Sequence, residues 1–196
     1  MQNPSPTTTA QDLYSRFDAE LQSTISFRHL DPDSDLERFN RWQNSDRVAQ
    51  FWDERGTLDE HRDYLMKLIR APQVEPLIGC LDGDPFLYLE VYWAEQDRLA
   101  AYYTAAPADR GIHMLVGEER HRGPRKVRAW LSALCRHLFE ESPATQRIVS
   151  EPRYDNLKMI DYLEKQGFEK IKEFDFPHKR AALMLLTRDA FFKGQA

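Results

Sequence analysis

The stretch Gly111–Phe168, GIHMLVGEERHRGPRKVRAWLSALCRHLFEESPATQRIVSEPRYDNLKMIDYLEKQGF, decides how this chain is read. An apolar run, Ile112–Val116, meets a basic turn, Arg120-His121-Arg122-Gly123-Pro124-Arg125-Lys126. Over Arg125–Glu140, the positions Val127, Trp130, Leu131, Leu134, Cys135, Leu138 and Phe139 form one wide apolar stripe, which predicts a helix packed on a sheet. Strand, glycine-bearing basic turn and helix together point free backbone N–H groups and cationic side chains at a phosphate. Gln146–Ser150 reads as a second short strand that ends in Glu151 before Pro152. Leu157–Gln166 follows as a helix closed by Gly167. One segment thus offers a place for a phosphorylated cofactor and a carboxylate to move a proton.

Working outward, Asp12–Leu21 carries Leu13, Phe17 and Leu21 at four-residue spacing, which predicts a short helix. Ile25–Leu30 reads as a strand, and Leu36, Phe39 and Trp42 repeat at helical spacing. Thr57–Arg70 is predicted as a helix with a Thr57/Glu60 capping box and an inner face of Leu58, His61, Leu65, Leu68 and Ile69. Pro76–Leu81 and Phe86–Trp93 flank Asp82-Gly83-Asp84-Pro85 as a hairpin. Leu99–Tyr103 is predicted as a strand, and Phe168–Phe176 and Arg180–Thr187 complete the sheet. Antiparallel strands followed by strand–helix–strand–helix–strand give an α/β (α+β) sandwich around a mostly antiparallel, mixed sheet. Residues 1–11, polar and proline-bearing, read as a disordered arm before one domain over 12–196.

Composition narrows the function classes. With 27 Lys+Arg against 32 Asp+Glu, the chain lacks the bulk positive charge of a nucleic-acid binder. No apolar run is long enough for a membrane span, and the N-terminus lacks the pattern of a secretory signal. Cys80 and Cys135 sit in apolar contexts without CxxC spacing, the pattern of reduced core thiols in a cytoplasmic protein. No His/Cys/Asp cluster has metal-ligand spacing, and no Gly-x-Ser-x-Gly or Cys/His arrangement argues for a covalent nucleophile. Read alone, His113 suits a satisfied core histidine, and Glu151 a surface partner of Arg147 or Arg153.

The strand–Arg122-Gly123–helix run resembles the pyrophosphate-binding segment of the GNAT acyl-CoA acyltransferases. Asn156 through Leu163-Glu164-Lys165-Gln166-Gly167-Phe168 resembles that superfamily's last motif. FLYLEVYWAEQDRLAAYY, GIHMLVGEERHRG, EPRYDN and WQNSDRVAQFW are similar to the branch that acylates hydroxylamines in mycobactin-, aerobactin-, alcaligin- and desferrioxamine-type siderophore assembly. The likeness runs from about Phe27 to Thr187 and implies a GNAT-type sheet with helices on both faces.

It also implies direct attack of the acceptor on a thioester, with Glu151 as proton acceptor and His113 of the GxH motif against the substrate. Acyl-CoA, acetyl- or succinyl-, would be held by Leu115, Arg120, Arg122, Gly123, Arg125, Lys126 and Asn156. Pro124 and Arg125 depart from the superfamily's glycine pattern and shift weight from backbone donors to side chains. Asp155 and Asn156 also suit a cap for the following helix. Trp93 and Tyr102 are candidate walls of an acyl or alkyl pocket, equally served by a core role, and Asn44 and Trp52 fall where the acceptor site is expected. Leu163 occupies the position of a frequent thiolate-protonating tyrosine, and Tyr162 beside it projects about 100° away on the helix.

The acceptor implied is the hydroxylamine of N-hydroxyputrescine, N-hydroxycadaverine or N6-hydroxylysine. The compact chain without an extra N-terminal domain favours the diamine types. A hydroxylamine is already largely neutral near pH 7, so a modest carboxylate suffices as base. Acylation of an ordinary primary amine of an antibiotic or protein stays open, as do a non-catalytic acyl-CoA-binding protein and a homodimer. No metal, nucleic acid or membrane partner is expected.

Overall fold

The computed structural model describes residues 12–194, so the expected arm at 1–11 lies outside the described residues. Eight strands form one sheet: β1 (Tyr14–Asp18), β2 (Ser23–His29), β3 (Val74–Leu81), β4 (Asp84–Trp93), β5 (Arg110–Val116), β6 (Arg147–Ser150), β7 (Glu169–Asp175) and β8 (Arg180–Thr187). Their spatial order is β1-β2-β3-β4-β5-β6-β8-β7, and every pairing except β5–β6 is antiparallel. The β3–β4 hairpin turns at Asp82 (φ 50°) and Gly83 (φ 78°), a left-handed pair that matches strand twist.

Helices cover both faces. Helices α1 (Pro32–Gln43), α2 (Asp46–Trp52) and α3 (Leu58–Arg70) pack Leu36, Phe39, Trp42, Val48 and Leu65 against Ile78, Tyr88 and Leu115. On the other face α4 (Pro124–Glu141) and α5 (Leu157–Lys165) set Trp130, Leu134, Leu138, Ile160 and Leu163 against Leu87, Leu89 and Ile112. Strand alternation makes this possible: neighbours on β4 and β5 face opposite helical layers. A C-terminal helix, α6 (Arg188–Lys193), buries Phe191 beside Phe139. None of the described helices is long and apolar enough to cross a membrane.

Three local expectations give way to tertiary context. The helix expected over Asp12–Leu21 is instead edge strand β1, because β2 offers it a full antiparallel ladder and Tyr14 stacks on Phe27. The strand expected over Leu99–Tyr103 is a 3-10 turn, Arg98–Ala101, nucleated by the Asp97 carboxylate accepting from Leu99 N–H. The α3 capping box forms as expected, yet Leu58 and Ile69 face solvent and the inner face is centred on His61 and Leu65.

Candidate active site

Strand register assembles the site. On β4 and β5 the cross-strand partners are Glu90↔His113 and Tyr92↔Gly111. Strand β6 pairs with β5 at only two positions, Arg110↔Ile148 and Gly111↔Val149, and the Ser150 hydroxyl donates to Ile112 O (3.0 Å) as a last tie. Glu151 lies two residues beyond Val149 and His113 two beyond Gly111, so the ladder's end delivers a carboxylate beside an imidazole. Beyond this point Pro152 turns the chain away and the strands part.

His113 is held between two carboxylates: Nε2 lies 2.5 Å from Glu151 Oε1 and Nδ1 3.0 Å from Glu90 Oε2. Glu90 also accepts from the Tyr64 hydroxyl (2.5 Å) and the Tyr88 hydroxyl (2.9 Å). Glu151 accepts from the Tyr92 hydroxyl (2.8 Å), and Lys179 Nζ donates to its backbone carbonyl (2.9 Å) while standing 3.7 Å from its carboxylate. Glu151 is 1% exposed, whereas the His113 side chain is 23% exposed, so histidine is the more open member of the pair.

Burial opposes every charge in this cluster, but the charges support one another. Against burial, Glu151 and Glu90 lift the His113 imidazolium to about 10. Against burial, His113, Lys179 and the Tyr92 hydroxyl hold the Glu151 carboxyl at about 2. The Glu90 carboxyl is likewise lowered despite its burial, by His113 and the two tyrosines. The Lys179 ammonium is pushed down by burial, partly offset by Glu151.

Two cavities flank this centre. The first, about 450 Å³, is lined by His113 with the buried Glu90 and Glu151, by Lys179 beside Glu151, and by the exposed Glu54 and Arg98. The second, about 360 Å³, lies between the end of β5, helix α2 and the starts of α4 and α5. Phe51, Trp52, Met114, Asn156 and Met159 line both, so the two spaces share one wall. Trp52 anchors that wall with an indole N–H donated to Met114 O (3.3 Å).

The second cavity has the features of an anion-ended slot. Gly123 caps α4 at φ 124° with no side-chain cap, leaving first-turn N–H groups free, and a Cβ there would strain the backbone although nothing crowds it. Arg122 lines it, and so does Arg47 from α2. Burial and the nearby Arg122 both lower the Arg47 guanidinium, and the exposed Glu119 stands 3.7 Å from Arg47 and 3.8 Å from Arg122. Two adjacent guanidiniums facing one solvated carboxylate leave room for a polyanion. Leu115 and Val116 add an apolar wall, and Tyr162, not the fully buried Leu163, presents its ring to the space.

The other residues singled out in the sequence fall elsewhere. Arg120 is committed to a bidentate pair with Asp84 and to Glu118, Lys126 donates to Arg120 O, and Arg125 is exposed; none of the three lines the second cavity. Asn156 lines both cavities and also caps α5, accepting from Met159 N–H (3.3 Å). The Asn44 amide braces the loop at Gly56, donating to its carbonyl (2.8 Å) and accepting from its N–H (3.2 Å). Trp93 carries the Arg110 guanidinium on its ring (4.2 Å), and Tyr102 packs on Phe174 and Phe176; neither lines either of these two cavities. Sequence reasoning missed Tyr92, Glu90, Tyr64, Lys179 and Arg47 as site members. Glu90 and Tyr92, polar groups in an otherwise apolar strand with period two, carried the one usable signal. Among the described residues no His/Cys/Asp/Glu group is arranged to hold a metal ion.

Comparison with known proteins bears on this geometry. Residues 31–176 match the family model "Acetyltransferase (GNAT) domain". The chain is 44% identical over 181 residues to N(6)-hydroxylysine O-acetyltransferase of Escherichia coli, covering 92% of this chain and 58% of that protein. It is 46% identical over 192 residues to a putative lysine N-acyltransferase of Schizosaccharomyces pombe, covering 96% of this chain and 56% of that one. The chain therefore spans little more than half the length of these curated relatives. The crystal structure of aminoglycoside acetyltransferase AAC(6')-Ib in complex with coenzyme A superposes with a TM-score of 0.79 at 28% identity, covering 88% of this chain and 99% of that one. A family match across most of the chain, on a sheet that parts beside a glycine-capped helix, makes this protein a member of the GNAT acetyltransferase family.

Proposed function

We propose that this protein transfers an acyl group from acyl-CoA to the hydroxylamine nitrogen of an N-hydroxylated lysine or diamine, forming a hydroxamate for siderophore assembly. The observation that carries the reading is the shared wall: a slot lined by Arg47, Arg122 and Gly123 and a carboxylate–imidazole centre meet at Trp52 and Met114. The name of the Escherichia coli relative, which acts on N6-hydroxylysine, supports the acceptor class. Acetyl- or succinyl-CoA would lie in the second cavity, beside the end of β5, pyrophosphate toward Gly123, Arg122 and Arg47, its thioester at the wall. Leu115 and Asn156 would line its path.

The acceptor nitrogen would enter from the first cavity and attack the thioester carbon. Its N–C bond forms, the C–S bond breaks, and the electron pair leaves on sulfur. The proton shed by nitrogen passes to the Glu151 carboxylate, which lines the same cavity, while His113 keeps both of its protons. A carboxylate held at about 2 is a weak base. It suffices because the protonated nitrogen of the tetrahedral adduct is itself a strong acid. The His113 cation beside the reacting carbon also favours the oxyanion.

Free-thiol release with acetyl-CoA against N6-hydroxylysine, N-hydroxycadaverine and lysine tests the reading. Turnover on a hydroxylamine well above that on lysine is expected. The likeness to AAC(6')-Ib favours a second reading, acylation of an ordinary amine, and faster turnover on an aminoglycoside than on any hydroxylamine would establish that one instead.

A further inference from the structure

The exposed lining of the first cavity carries charges that the reacting centre does not use, Arg98 and Glu54 among them. Arg98, from the 3-10 turn after β4, has no ion pair or hydrogen bond among the described residues; its guanidinium lies over the Phe176 ring at 5.2 Å. Lys179 Nζ approaches the same ring at 5.6 Å, and His178 stacks on it at 5.3 Å. Glu54, from the loop after α2, uses its backbone carbonyl to bind His61, while its carboxylate is uncommitted. The other lining arginines are taken: Arg153 by Asp155 and Arg180 by Glu173.

Arg98 and Glu54 are close enough to act on each other, since the guanidinium lowers the Glu54 carboxyl even as burial, Glu90 and Asp53 raise it. Both are exposed, whereas the Glu151 carboxylate is fully buried. Apolar Phe51, Trp52 and Met159 line the same space. The cavity therefore joins an exposed charged edge, the Arg98 guanidinium with the Glu54 and Asp53 carboxylates, through an apolar wall to a buried, proton-accepting carboxylate. That sequence of surfaces fits a molecule with a zwitterionic head, an alkyl chain and a terminal nucleophile. A diamine derivative has the chain and nucleophile but only a positive head, which would leave Arg98 unanswered.

We propose that Arg98 and Glu54 read the α-carboxylate and α-ammonium of an amino-acid acceptor, and that Arg98 sets the preference for an N-hydroxylated α-amino acid over an N-hydroxydiamine. The inference rests on the hydroxylamine-acylating reading above and reverses the preference for diamines expected from the sequence.

The test uses acetyl-CoA as donor, whose acyl group is uncharged, and compares kcat/KM for N6-hydroxylysine and N-hydroxycadaverine, which differ only by the carboxylate. The wild-type protein should favour N6-hydroxylysine. In Arg98→Ala that preference should fall about tenfold or more, through KM, as expected for losing a charge-assisted contact. Arg98→Lys should recover part of it, and Glu54→Gln should weaken both acceptors, since both present an ammonium. An unchanged preference in Arg98→Ala overturns the proposal while leaving the hydroxylamine reading standing. An Arg98 effect seen only with succinyl-CoA also overturns it, because the arginine would then read the acyl carboxylate. Wild-type turnover on neither hydroxylamine overturns both readings.

Discussion

At His113 both ring nitrogens face carboxylates, so each must donate and the imidazole is held as a cation. This has kinetic consequences. The Glu151 carboxyl stays ionised above about 2 and the His113 ring stays protonated up to about 10. Neither changes state across the neutral range, so the acid limb of kcat/KM should report the acceptor's own protonation. Profiles for N6-hydroxylysine and lysine should be displaced from each other, with lysine requiring higher pH. Coincident acid limbs would place the titration on the enzyme and contradict the assigned pair. Replacing the base is the second residue-scale test. Glu151→Gln should lower kcat by about 10²-fold or more, the range of general-base effects, with little change in KM for acyl-CoA. Near-wild-type kcat would remove Glu151 from the proton path.

The element that organises this chemistry is the β4–β5 ladder, and its glycine has a physical reason. A Cβ on Gly111 would lie 2.1 Å from the Tyr92 ring, its cross-strand partner. Only glycine lets Tyr92 lie across β5 and reach Glu151. Gly111→Ala should therefore lower Tm, by overpacking of about 1–3 kcal/mol, and lower kcat as the Tyr92–Glu151 bond breaks. An unaltered Tm would show that Tyr92 has space to move. Helix α2 couples the two cavities: Arg47 near one end faces the slot, Trp52 at the other forms the shared wall. Arg47→Ala should raise KM for acyl-CoA about tenfold, the scale of one lost charge-assisted contact, and leave KM for the acceptor nearly unchanged. Equal effects on both would mean that the substitution unseats α2.

These elements also show how far the sequence could be read. Apolar periodicity fixed α3, α4 and α5, and the β3–β4 hairpin followed from its turn residues. Leu13, Phe17 and Leu21 misled because a four-residue spacing carries no information about a partner outside the segment, here the free edge of β2. Arg47, Arg98 and Lys179 were illegible for the same reason, since each joins the site from an element distant in sequence from His113 and Glu151.

For the whole molecule, the cost of this site is a set of charges buried in the sheet's centre, Glu90, His113 and Glu151, with Lys179 beside them. Their mutual support makes stability depend on pH. The His113 pKa is raised from 6.5 to about 10, so its contribution is full below 6.5 and is lost as pH rises through 10. The Glu151 pKa is lowered from 4.5 to about 2, so its contribution is full above 4.5 and is lost as pH falls through 2. The cluster therefore stabilises the fold most between about 4.5 and 6.5 and gives way on both sides. Removing one member should be costly: His113→Ala strands two buried carboxylates, a change of about 3–5 kcal/mol in comparable buried pairs. The double substitution His113→Gln with Glu151→Gln removes cation and anion together and keeps hydrogen-bonding capacity. Its Tm should fall less than that of His113→Ala and should lose much of the wild-type decline between pH 7 and 10. Thermal melts of the three proteins across that range decide the matter. Parallel declines in all three would assign the alkaline sensitivity to groups outside this cluster.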